Sequence, residues 1–128
     1  MKIASILLLG LGLFFSSCET ETQTEFLLDN QSSRDVSVSG YDFFWSDSLQ
    51  IEVPAGEEVL ISRWDVRGLL SEPSGPDQQF RTSLNIVSRS GELFLKDPND
   101  LSLWGSTFKD HGRTHAYTYV LLVSDSDF

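Results

Sequence analysis

Ser48-Leu49-Gln50-Ile51-Glu52-Val53, followed at once by Pro54-Ala55-Gly56, is the stretch on which the fold class turns. Leu49, Ile51 and Val53 alternate with Ser48, Gln50 and Glu52, the period-two pattern of a strand with one face buried and the other in water. Pro54 and Gly56 then stand as in a type I turn. Val59-Leu60-Ile61 resumes the apolar pattern, so residues 48–64 predict a hairpin.

Upstream, Val36 and Val38 alternate with Ser37 and Ser39, and the aromatic phase then moves to Tyr41, Phe43 and Trp45. Gly40 stands at that phase change, which predicts a bulge or bend. Phe26-Leu27-Leu28 is a short apolar run closed by the turn-forming cluster Asp29-Asn30-Gln31-Ser32-Ser33. Downstream, Gly68, Pro73, Gly75 and Pro76 leave residues 66–79 without a usable period, and a long loop is expected there. Leu84, Ile86 and Val87, then Ser88-Arg89-Ser90-Gly91, then Leu93-Phe94-Leu95 predict a second hairpin.

Asp97 precedes Pro98 as a cap precedes the first helical residue, and Gly105 stands past the end, so one helical turn is expected between them. The last strand runs from about His115 to Val123. Tyr117, Tyr119, Leu121 and Val123 share one face, and Val120 and Leu122 the other. With both faces mostly apolar, this strand belongs at the centre of a sheet. Seven or so short strands with turns between them predict an all-β, antiparallel β-sandwich of immunoglobulin-like architecture, without the paired cysteines of true immunoglobulin domains.

The N-terminus has a different character. Lys2 is followed by an apolar run from Ile3 to Phe15 and then by Ser16-Ser17-Cys18. This is the order of a secretion signal: a positive residue, an apolar segment, and small residues at the cleavage site. The run is short for a membrane span, which takes about 20 residues. Phe15-Ser16-Ser17-Cys18 resembles a bacterial lipobox in the looser form found in Bacteroidota, with Phe15 where Leu is usual. The resemblance implies that residues 1–17 are a lipoprotein signal peptide and that Cys18 becomes the acylated first residue of the mature chain. Anchoring by several acyl chains is stable where one chain is marginal, each buried methylene contributing about 0.8 kcal/mol.

Glu19-Thr20-Glu21-Thr22-Gln23-Thr24-Glu25 is polar throughout, and residues 18–25 are expected to form an acidic flexible tether. Acids directly after the cysteine are similar to the surface-export signal of Bacteroidota lipoproteins, without the lysine that often accompanies them. Residues 26–128 are then the β-sandwich domain. The whole arrangement is similar to the small one-domain β-sandwich lipoproteins of Bacteroidota, including the closing strand and the tail Asp125 to Phe128. That likeness implies a cell-envelope protein on the outer membrane, either periplasmic or surface-exposed.

Composition narrows the chemistry. Cys18 is the only cysteine, so no internal disulfide and no cysteine-rich zinc site can form. Without Lys2, eight Lys and Arg face nineteen Asp and Glu, a net charge near −11. Such a chain repels nucleic acid and bare anionic lipid. Asp97, Asn99 and Asp100 carry oxygens suited to calcium, but Leu101 occupies the fifth position of the loop pattern, where a ligand is needed. His111 and His115 have the four-residue spacing of a shared metal on a helix, but Gly112 and the strand that follows argue against a helix. No Gly-x-Ser-x-Gly elbow and no phosphate-cradling glycine loop is present. The chain is expected to be a non-enzyme without cofactor or metal.

Trp45, Trp64 and Trp104 remain. Aromatics in a domain this small belong mostly to the core. Trp104, beside a loop, is the expected exception, and Trp45 and Trp104 are the two candidate ligand-binding residues. Three functions are consistent with these features: a membrane-anchored, non-catalytic domain that binds a protein partner or serves as an accessory subunit; a glycan-binding module using loop aromatics; and a small hydrolase or metal-dependent enzyme. An exposed tryptophan in a shallow groove favours the second, and a polar pocket that gathers histidine with acids favours the third.

Overall fold

The computed structural model describes residues 19–69 and 75–128. Cys18 and the signal segment lie outside the described residues. Among the described residues seven strands form: β1 (Glu21–Asn30), β2 (Val36–Asp42), β3 (Asp47–Val53), β4 (Glu58–Arg67), β5 (Asn85–Ser88), β6 (Trp104–Asp110) and β7 (Thr114–Val123). They make a four-stranded sheet in the order β4-β1-β7-β6 and a three-stranded sheet in the order β3-β2-β5. The chain is an all-β sandwich, as the alternation of residues 48–53 predicts.

The tether is shorter than expected. Residues 21–25 are the first half of β1, whose side chains alternate half-buried and buried over the whole ten residues. Thr22 and Thr24 are fully buried, in phase with Phe26 and Leu28. Threonine is β-branched and packs well on a pleated surface. A period of two was therefore present in Glu-Thr-Glu-Thr-Gln-Thr-Glu, carried by threonine rather than by hydrocarbon.

The larger sheet is mixed rather than antiparallel. β1 pairs antiparallel with β4, but parallel with β7 in one unbroken register from Glu21↔Thr114 to Asn30↔Val123. Alternation in a sequence reports which face a residue takes; it does not report the neighbour of a strand when no local turn joins the two. β7 lies at the centre of its sheet, between β1 and β6.

The predicted 48–64 hairpin divides between the sheets for the same reason. β3 pairs with β2, β4 pairs with β1, and residues 54–57 cross from one layer to the other. Gly56 has φ +77° and the Glu57 amide donates to Pro54 O at 3.1 Å. A positive φ at the third turn position makes this a type II turn, not type I.

Gly40 causes no bulge: β2 and β3 stay in register through Ser39↔Gln50, Gly40↔Leu49 and Tyr41↔Ser48. Gly40 allows close approach instead, since a Cβ there would lie 3.1 Å from both Ser83 O and Leu84 Cδ2. The register shift falls between β1 and β4, where Phe26 faces Ser62, Leu27 faces Leu60, and Ile61 is extra.

The second hairpin reduces to a turn. Only the Val87↔Leu93 bridge forms, and Leu93 and Leu95 are exposed. The strand formed in place of the expected one at residues 93–95 is β6, an edge strand exposed along its length after Trp104, so its sequence carries no alternation. The helical turn forms over Leu101–Leu103, with the Asp100 carboxylate accepting from the Ser102 amide. Within the expected long loop, β4 extends to Arg67, and Pro76–Phe80 is a short helix that brings Phe80 into the core; residues 70–74 lie outside the described residues.

The core joins Phe26 and Leu28 of β1 to Leu121 and Val123 of β7, and to Val36, Val38 and Ile86 of the smaller sheet. Phe26 is its aromatic hub, stacked on Tyr119 at 5.3 Å and edge-on to Phe80 at 5.2 Å. At the end of the sandwich where β1 finishes, Asn30 is fully buried. Its amide donates to Arg34 O at 2.7 Å and Val53 O at 3.0 Å, and its carbonyl accepts from the Ser32 amide and hydroxyl. Asn30→Ala is expected to lower unfolding free energy by about 2–4 kcal/mol, since each stranded buried group costs about 1–3 kcal/mol and the costs overlap. Urea denaturation measures it; a loss below about 1 kcal/mol contradicts the role given to Asn30.

The C-terminal tail closes the same end. Arg34 pairs with Glu92 at 3.0 Å and Asp125 at 2.9 Å, and its guanidinium lies 5.2 Å from the centre of the Phe128 ring. Hydrogen bonds from Arg34 and Ser90 hold the Glu92 carboxyl below its ordinary value. Those from the Ser33 amide and hydroxyl, with Arg34 adding, do the same for Asp125. Burial pushes Asp127 up, but Lys96 and the Ser124 amide and hydroxyl together bring it below its ordinary value. A depressed folded-state pKa stabilises the fold above the ordinary carboxylate range and ceases to do so as pH falls through the folded value. Melting temperature is therefore expected to decline below about pH 4, and Asp125→Asn to make that decline shallower. An acid limb of unchanged steepness in Asp125→Asn contradicts this assignment.

Candidate functional site

The most distinctive surface lies between β2 and β3. Phe43, Phe44, Trp45 and Ser46 connect the two strands, and three aromatics in succession are exposed: Phe43 at 37%, Phe44 at 46% and Trp45 at 59%.

One carboxylate shapes this turn. Asp42 ends β2 and is buried. Its Oδ1 accepts from the backbone amides of Phe44 at 3.0 Å and Trp45 at 3.2 Å, and from Gln79 Nε2 at 2.6 Å. Its Oδ2 accepts from the Ser62 hydroxyl on β4. An aspartate that opens a turn and caps the amides two and three residues on satisfies donors that would otherwise compete for water. The Phe43 amide donates to Gln79 O at 2.9 Å, so the short helix clamps the turn from the side. Ser46 takes φ +53° to re-enter β3.

The rings are fixed as well. Phe44 stacks on buried Trp64 at 5.3 Å and meets Trp45 edge-on at 5.1 Å. The Trp45 indole N–H donates to Arg63 O at 2.9 Å, which holds the ring against β4 with its surface in solvent. Phe43 packs edge-on against Tyr41, and the Arg81 guanidinium lies 4.6 Å from the Phe43 ring centre. An open cleft of ≈ 440 Å³ is lined by Phe43, Phe44, Asp77, Gln78, Gln79 and Arg81. A second recess, of ≈ 340 Å³, is lined in part by Trp45, Asp47, Leu60 and Arg63. Both have the volume of a small ligand site but are shallow.

The two candidate tryptophans part company. Trp45 is exposed beside these recesses. Trp104, the expected exception to burial, is 7% exposed and belongs to the core; its N–H donates to Pro98 O at 2.9 Å. The reason is local: the Leu101–Leu103 turn directs Trp104 inward at the first position of β6, where it meets Phe80 and Phe26.

The other sequence candidates serve turns. Asn99 bonds the Leu84 amide and carbonyl, Asp97 accepts from the Asn99 amide, and Asp100 accepts from Ser102. His111 lies in the β6–β7 turn, whereas His115 is on β7, with Nε2 3.8 Å from Asp110 Oδ1 and its ring edge-on to Phe108. Among the described residues no group of three or more His, Cys, Asp and Glu is placed to hold a metal ion. Ser62 and Asp42 are hydrogen-bonded, but their third member is the Gln79 amide, which cannot take a proton as a histidine does. Cys18 lies outside the described residues.

Sequence reading missed Asp42, Ser62 and Gln79. The polar bracket of Asp42 and Ser46-Asp47 around three aromatics is the signal that marks a turn rather than a continued strand. No known family model, curated protein or solved structure matches this chain.

Asp42→Ala is expected to destabilise the domain by about 2–4 kcal/mol, because four donors lose their acceptor, and to shift Trp45 emission to longer wavelength. Asp42→Asn, which keeps one acceptor oxygen, is expected to cost less. Equal stability of wild type and Asp42→Ala contradicts this reading of the turn.

Proposed function

We propose that the protein is a lipid-anchored, non-catalytic domain of the cell envelope, held to the outer membrane through acylated Cys18, which binds carbohydrate on the aromatic turn 43–45. The observation that carries the ligand assignment is Trp45: 59% exposed, with its N–H already satisfied by Arg63 O. A ring so placed offers an apolar surface without needing a polar partner for its own edge. Sugar rings present C–H faces to such surfaces and hydroxyls to the groups around them. Asp77, Gln78 and Arg81 supply both donors and acceptors beside Phe43 and Phe44. A fixed turn also reduces the ordering cost of binding. The strong negative charge is compatible with a neutral ligand and disfavours nucleic acid.

A second reading, a protein partner, is favoured by β6. Among the described residues it pairs only with β7, and it carries Phe108 at 51% exposure, so its other edge can accept a strand.

Binding of the acylated protein to a panel of neutral oligosaccharides by calorimetry tests the first reading. Trp45→Ala is expected to weaken binding at least about tenfold, or about 1.4 kcal/mol, while Phe108→Ala leaves it unchanged. No binding to any neutral glycan, or equal binding by Trp45→Ala, overturns the ligand assignment. Labelling of cells with a fatty-acid analogue tests the anchor: Cys18→Ala is expected to lose the label that wild type carries.

A further inference from the structure

We infer that the sandwich is mounted almost flush on the bilayer, with the end that carries Arg67 and Arg113 against the lipid headgroups. The inference rests on the proposed acylation of Cys18 and concerns what that anchor does to the domain.

The argument begins with the length of the leash. Among the described residues hydrogen bonding starts at Thr20, not after Glu25. The Gly68 amide donates to Thr20 O at 2.9 Å, the Glu21 amide donates to Arg113 O at 2.9 Å, and the Thr22 hydroxyl donates to Gly68 O at 2.7 Å. From Glu21 onward β1 is paired on both sides, with β4 and with β7. Only Glu19 separates Cys18 from this framework. At no more than about 3.6 Å per residue, the ordered sheet begins within about 7 Å of the acylated residue. An eight-residue flexible tether would have allowed the domain to wander by more than its own radius; this one does not.

The topology then decides what meets the membrane. β1 enters between Arg67 at the end of β4 and Arg113 in the β6–β7 turn, and both arginines are exposed. Leu69, just past β4, is also exposed. The entering strand is thus flanked on each side by a cation suited to phosphate oxygens, although the chain as a whole is strongly acidic. Near this end stand Glu19, Glu21 and Asp110; at the opposite end Asp35, Glu57, Glu92 and Asp125 lie around the turns that follow β1 and β3, with Arg34 and Arg89 paired to three of them. The two ends are separated by the length of β1, about 30 Å at 3.3 Å per residue.

This mounting also places the aromatic turn. Trp45 bonds to Arg63 O, and Arg63 faces Glu25, four residues up β1 from Glu21. With the strands upright, Trp45 stands about 13 Å above the base of the sheet and no more than about 20 Å above the anchor. Its ligand is then approached from the side, close to the bilayer.

The test uses the acylated protein, purified from membranes and reconstituted into phosphatidylethanolamine–phosphatidylglycerol vesicles that carry a headgroup spin label. Because acylation blocks the only native thiol, a fluorophore can be attached to one introduced cysteine, His111→Cys at the near end, which leaves Arg113 in place, or Ser90→Cys at the far end. Strong quenching at 111, weak quenching at 90, and a several-fold fall at 111 when a flexible spacer of about ten residues is inserted between Glu19 and Thr20 are the expected results. Equal quenching at both positions, or no response to the spacer, overturns the flush mounting. Mass spectrometry of the same samples reports the acyl chains on Cys18 separately. Their absence overturns the anchor itself, and the mounting with it.

Discussion

β1 is hydrogen-bonded along its length to β4 on one side and β7 on the other, and the rest of the domain is arranged around that double pairing. The strand supplies Phe26 and Leu28 to the core, Asn30 to one end of the sandwich and its first rung to the other. The partners come from distant parts of the chain, so the four-stranded sheet closes only when the last strand has arrived. Loop closure of this kind is entropically costly and makes such folds slow and cooperative. The arrangement has a local cost too: Thr24 Oγ1 and Trp64 Nε1, on facing residues of β1 and β4, are buried without a hydrogen-bond partner. Unpaired groups of this kind each cost about 1–3 kcal/mol, so this half of the sheet relies on its continuous backbone ladder.

Two buried polar side chains organise the turns. Where β1 ends, Asn30 gathers the turns after β1 and β3; where β2 ends, Asp42 gathers the turn after β2, the Ser62 hydroxyl on β4 and the short helix. The choice of residue suits each task. Asn30 must both donate to carbonyls and accept from Ser32, which an amide does and a carboxylate does not. Asp42 meets only donors, two of them backbone amides of a tight turn, and a carboxylate accepts them all. Exchanging the two residues would leave unpaired groups at both ends.

Much of this was legible in the sequence, and the gaps have physical causes. Leu49, Ile51 and Val53 announce a strand because hydrocarbon and polar side chains alternate, and Tyr117 to Val123 announces a central strand because both faces are apolar. Thr22 and Thr24 carry the same period without hydrocarbon. β6 is exposed on both faces beyond Trp104 and so has no period to read. Pairing is a further level: nothing within residues 48–64 tells that the two strands part into different sheets. At the site, the exposure of Trp45 and the burial of Trp104 follow from turn geometry set by Asp42 and by the Leu101–Leu103 turn, which side-chain chemistry alone does not reveal.

Three consecutive exposed aromatics are an expensive choice for a small domain. About half of their apolar surface is left in water, which forgoes about half of the roughly 1.5–3 kcal/mol that full burial of a large side chain contributes. The fold does not leave them loose. Asp42 and Gln79 fix the backbone, Trp64 supports Phe44 and Arg63 O takes the Trp45 N–H. A turn that only needed to join β2 to β3 could have used two small residues. Rigid aromatics beside polar groups instead lower the entropy that any binding event there would cost. The turn thus gives up mobility and retains one presented surface.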